Sequence, residues 1–95
     1  IIPGEISLSN AYPNPFNPVT NIEYDLLKDE FVRVKVYDIL GNIVNNLVNI
    51  NQSSGYKSIQ WDATNKQGHH VSAGVYLYSI EAGDFRQTKK MILLK

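Results

Sequence analysis

Apolar and polar residues alternate along most of the chain. Between residues 21 and 26, Ile22, Tyr24 and Leu26 fall on one side and Asn21, Glu23 and Asp25 on the other. A period of two belongs to a β-strand with one buried face. Val32, Val34 and Val36 repeat it against Arg33 and Lys35, with Phe31 and Tyr37 on the polar side at the two ends. Ile43 through Leu47 reads as a weaker strand, and Ile59 and Trp61 alternate with Ser58 and Gln60. The stretch from Gly74 to Ile80 is apolar on both faces. That suits a central strand covered on both sides, or one whose tyrosines reach an outer face. Phe85 to Leu94 predicts a last strand, and Ile6 and Leu8 predict a short one ahead of Ala11.

Turn residues separate these segments at short, even spacing: Lys28-Asp29-Glu30, Gly41-Asn42, Asn49 through Gly55, Asn65 through Gly68, Gly74 and Gly83-Asp84. Gly41 stands where a hairpin needs positive φ, so strands 31–37 and 43–47 are expected to pair. Gly83-Asp84 fits a two-residue hairpin with Gly first. The nearest approach to a helix, Asp38 to Leu47, holds Gly41 and three Asn residues, all poor in helix interiors. The pattern predicts an all-β fold: an antiparallel β-sandwich of about seven strands, immunoglobulin-like or fibronectin-like. Residues 1–95 make one domain, with a Pro/Asn-rich lead-in over 1–18 and a sandwich body over 19–95. Pro13, Pro15 and Pro18 bias Tyr12, Asn14 and Asn17 toward extended backbone. Phe16 is the residue placed to anchor this stiff string in the end of the core, unless the string meets a receptor. Trp61 is the expected centrepiece between the sheets.

Composition narrows the chemistry. Of 95 residues, 43% are apolar, enough for one core, and nine Lys+Arg balance nine Asp+Glu. A neutral chain lacks the basic excess of a nucleic-acid binder. The absence of cysteine excludes disulfides, thiolate metal sites and a Cys nucleophile. No apolar run is long enough for a membrane-spanning helix. His69 and His70 are adjacent, which in a strand sends them to opposite faces and spoils a shared metal site. Asp62 with Asn65 offers oxygen ligands for a cation, but with one carboxylate, and a self-capping loop accounts for the same residues. Nothing near Ser72 and His70 has the shape of a nucleophile elbow. No catalytic residue, cofactor or metal is therefore expected. Tyr56 and Tyr78 are candidates for a sugar-stacking platform, as in a carbohydrate-binding accessory module of a secreted hydrolase. Arg86, Lys89, Lys90 and Lys95 make the last ten residues basic. They read either as a handle for an acidic partner or as guards of an edge strand.

Four motifs occur in a fixed order: Leu8-Ser9-Asn10-Ala11-Tyr12-Pro13-Asn14-Pro15-Phe16-Asn17-Pro18, then Val36-Tyr37-Asp38-Ile39-Leu40-Gly41, then Gly55, Trp61-Asp62, Gly68 and Gly74-Val75-Tyr76, and last Lys89-Lys90-Met91-Ile92-Leu93-Leu94-Lys95. Together they resemble the C-terminal type A sorting domain of type IX secretion and the related immunoglobulin-like domain of flagellar hook-capping proteins. The resemblance runs from Leu8 to Lys95. It departs at Ala63, where such domains often carry Gly after Trp-Asp. It implies a non-catalytic tag that directs an exported protein through the outer membrane to the cell surface, or a structural assembly module as in the hook-capping relatives. The implied partners are an outer-membrane translocon, surface-attachment machinery and a catalytic or adhesive domain upstream in the same chain. The domain itself is expected to be a monomer that binds no nucleic acid. Ile1 in place of Met fits a piece of a longer protein. The residues placed to meet the translocon are Lys89, Lys90, Met91, Lys95, Gly74 and Tyr76.

Overall fold

The computed structural model describes residues 6–94. Seven strands follow in chain order: β1 (Ser7–Leu8), β2 (Thr20–Leu26), β3 (Glu30–Tyr37), β4 (Ile43–Gln52), β5 (Gly55–Trp61), β6 (Gly74–Ala82) and β7 (Phe85–Leu93). They build two antiparallel sheets, one ordered β1-β2-β5 and the other β4-β3-β6-β7. The sheets face each other as a sandwich, and the alternation sets which side chains lie between them. Ile22, Tyr24 and Leu26 enter from the small sheet; Val32, Val34, Val36, Tyr76, Tyr78 and Ile80 enter from the large one. Trp61 is 1% exposed, its ring centroid 5.7 Å from Phe16 and 5.3 Å from Tyr76. Its indole N–H donates to the Thr64 carbonyl at 2.9 Å, so the one polar atom of the ring is satisfied.

Two features depart from the sequence reading. β4 runs on to Gln52 and β5 begins at Gly55, so the connection between them is Ser53-Ser54 rather than a turn from Asn49 to Gly55. Asn is a poor strand former, but pairing with β3 from Tyr37 to Glu30, through two register shifts, overrides its preference. The tyrosines of β6 both point inward: Tyr76 is 6% exposed and Tyr78 fully buried. The outer face of that strand is instead Val75, Leu77, Ser79 and Glu81.

The lead-in is knit to both sheets. Tyr12 pairs with Asn21 of β2, while Phe16 pairs in parallel with Leu93 of β7. The Phe16 amide donates to the Ile92 carbonyl at 2.9 Å, and the Leu94 amide donates to the Phe16 carbonyl at 2.8 Å. Asn14 completes the seam: its Oδ1 accepts from the Ile92 amide at 2.9 Å. Behind it, the buried Tyr78 hydroxyl accepts from the Ala11 amide at 2.7 Å and donates to the Ser9 carbonyl at 2.9 Å. Phe16 and Ala11 are core residues, so Phe16 anchors the string as expected.

Candidate functional site

The strand register lays out the outer face of the large sheet in transverse rows. Arg33, Glu81 and Arg86 form one row, Lys35, Ser79 and Thr88 the next, and Tyr37, Leu77 and Lys90 the third. Ile43 extends the third row on the β4 side, and Val75 pairs with Ile92 beyond it. Directly opposite residues on one face have Cβ atoms about 4.5–5.5 Å apart, so each row is a contiguous surface. Glu81 is taken by Arg86 in a salt bridge of 3.2 Å. Arg33 lies over the Phe31 ring at 4.8 Å.

The β3–β4 turn projects from the apolar end of this face. Its conformation is held by Asp38, whose Oδ1 accepts from the amides of Leu40 at 2.9 Å and Asn42 at 3.0 Å. Gly41 takes φ 88°, the left-handed region that favours glycine. Those donors, the Asn42 amide foremost, hold the Asp38 carboxyl below the usual carboxylate range. Ile39 and Leu40, at the tip, are 71% and 83% exposed. Ile39 shares a depression of about 200 Å³ with Gly74 and Val75, so the tip adjoins the Val75–Ile92 pair.

The residues singled out for translocon contact do not form one patch. Lys90 lies on the outer face, and Gly74 is exposed beside Val75. Lys89 faces the other way, half-buried, with its Nζ donating to Asn10 Oδ1 at 3.2 Å. Met91 is fully buried, and Tyr76, 6% exposed, lies mostly inside the core and reaches the surface only at the depression it shares with Ile39, Gly74 and Val75. The period of two already aligns Met91 with Leu93, and Tyr76 is fixed inward by Trp61 and by the bond from its hydroxyl to the Ser72 carbonyl at 2.6 Å. Lys95 lies outside the described residues. The sequence reading did not single out the β3 face or the Ile39-Leu40 tip, although the exposed apolar pair inside a turn is a signal visible in the sequence.

Tyr56 and Tyr78 do not share a face. Tyr56 is 64% exposed on the outer side of the small sheet, beside Glu23 and Asp25, whereas Tyr78 offers no ring face to a sugar. Asp62 is exposed and accepts from the Thr64 hydroxyl. Asn65 Oδ1 accepts from the amides of Gln67 and His69, each at 3.0 Å, and closes its own loop. Among the described residues no three His, Cys, Asp or Glu side chains gather as a metal site would require.

The fold and its surface thus define a small two-sheet sandwich that lays out its charged and apolar rows on an outer face. Residues 10–94 match the family of secretion system C-terminal sorting domains, and the chain belongs to that family. It is a non-catalytic sorting domain of type IX secretion, which directs proteins to the cell surface and works with the secretion machinery. A search of curated protein sequences returned no match. Among solved structures, the chain is similar over 99% of its length to part of dimeric latent PorU of Porphyromonas gingivalis, with 24% identity and a TM-score of 0.70. It is similar over 95% to part of PorZ of the same organism, an essential bacterial surface component of the type-IX secretion system, with 19% identity and a TM-score of 0.63. Over 78% it is similar to FlgD of P. aeruginosa, with 24% identity and a TM-score of 0.61. It spans only 10%, 11% and 57% of those three chains.

Proposed function

We propose that this domain is the C-terminal module of a larger exported protein and that the outer-membrane translocon reads it in its folded state. Surface-attachment machinery then takes over the cargo to which it is joined. The observation that carries this reading is the family match over residues 10–94 on a chain that folds as a closed sandwich. The lead-in contributes Ala11 and Phe16 to the core, so the recognised unit spans lead-in and body together rather than 19–95 alone. Buried Met91 and Tyr76 act by shaping the surface, while Lys90 and Gly74 are the members of the candidate set that a partner of the folded domain would touch.

The test is a fusion of residues 1–95 to a fluorescent protein behind a Sec signal, expressed in a host with type IX secretion. Fluorescence is expected on the cell surface or in the medium, and in the periplasm when the translocon is deleted. Retention in the periplasm of the competent host would end the proposal.

A further inference from the structure

We infer that the outer face of the large sheet, with the Ile39-Leu40 tip, is the surface on which the domain docks against a protein of its export machinery, one with an apolar centre bordered by acidic side chains. The inference rests on the export reading above and names the face it uses. Along β3, β6 and β7 this face changes character. Toward the Asp38 turn it is apolar: Tyr37 and Leu77 in one row, Val75 and Ile92 in the next. Lys90 borders the Tyr37–Leu77 row on the β7 side, and farther from the turn stand Lys35 and Arg33, with Arg86 engaged by Glu81. The small sheet shows the reverse charge on its outer side, with Glu23 and Asp25. An apolar centre with a charged border is the anatomy of a specific protein interface, and a net cationic border selects an acidic one.

The tip strengthens the inference. Leu40 and Ile39 are among the most exposed large apolar side chains of the described residues, and the turn carrying them is fixed by the three hydrogen bonds that Asp38 accepts. A rigid loop that displays two aliphatic side chains loses little conformational entropy on binding, which is the property of an anchor seated in a pocket.

The experiment compares fusions of residues 1–95 in the type IX-competent host. Two double variants, Ile39→Ser with Leu40→Ser and Lys35→Glu with Lys90→Glu, are expected to lower export at least tenfold while their purified domains melt within a few degrees of the parent. A photo-crosslinking amino acid at position 40 is expected to trap an envelope protein in living cells, and the same group at position 56 is not. The trapped protein, identified by mass spectrometry, is expected to present acidic residues at the crosslinked site. Parent-level export by folded variants, or crosslinking from 56 and not from 40, overturns the docking face. Cosedimentation of the parent domain with phosphatidylglycerol vesicles, lost in both variants, overturns it in favour of a lipid surface. A parent fusion held in the periplasm overturns the export reading and the docking face with it, an outcome distinct from normal parent export with unimpaired variants.

Discussion

Tyr78 shows how much one buried hydroxyl decides. It bonds Ser9 and Ala11 from the opposite end of the chain, and no other side chain replaces it there. Tyr78→Phe leaves the Ala11 amide without its acceptor and should cost about 1–3 kcal/mol, read from urea denaturation. Burial also raises the Tyr78 pKa, and that of Tyr24, above the ordinary phenol value of 10.0. The folded state therefore favours the neutral phenols. Their contribution to stability is whole below the unfolded pKa and is lost as pH rises through the folded value. In an alkaline titration, Tyr24 and Tyr78 should ionise as the protein unfolds, with part of the tyrosinate absorbance rising together with the loss of β-sheet signal. Ala63 presents a different balance. It occupies φ 64° and is buried. An L-residue there carries roughly 1–2 kcal/mol of strain. Glycine would release it but give up a buried methyl worth about 0.8 kcal/mol and add backbone entropy to the unfolded chain. Ala63→Gly should melt within a few degrees of the parent; a loss above about 2 kcal/mol would mean that the methyl holds the turn.

Among the elements, the lead-in closes the seam between β7 and the rest of the core. Phe16→Ala empties the space beside Trp61 and should cost about 3–5 kcal/mol by calorimetry. Asn14→Ala should cost much less, because Asn14 is exposed, yet it should speed amide exchange at Ile92 ahead of global unfolding. How far such elements were legible depends on how local their cause is. The strands of β2, β3 and the end of β5 follow from alternation alone, and Trp61 and Phe16 were readable as core. The length of β4 was not, because four Asn residues between 45 and 51 look like a turn until β3 supplies their partners. The inward turn of Tyr76 and Met91 was legible in the period of two, but the motif drew attention to them as contact residues. The outer face of the large sheet was invisible for a further reason. Its rows join residues from β3, β6 and β7, and a register between distant strands is not written in any one of them.

At the scale of the whole molecule, the two outer faces differ in charge: Arg33, Lys35, Arg86 and Lys90 outnumber Glu81 on the large sheet, while Glu23 and Asp25 lie on the small one. A net charge of zero conceals that division. Under the proposed docking, this difference would orient the partner on approach. The seam between lead-in and β7 has a consequence of its own. Asn14 and Ile92 stand 78 residues apart, so this contact ties the lead-in to the far end of the chain. A polypeptide that stops short of Met91 lacks the strip that seals Phe16 against the interior, and such a molecule, ended at Lys89, should show no cooperative melt. Under the proposed function an intact β7 becomes a condition of export: a domain clipped ahead of Met91 forfeits the seam with the lead-in, and its cargo should stay in the periplasm.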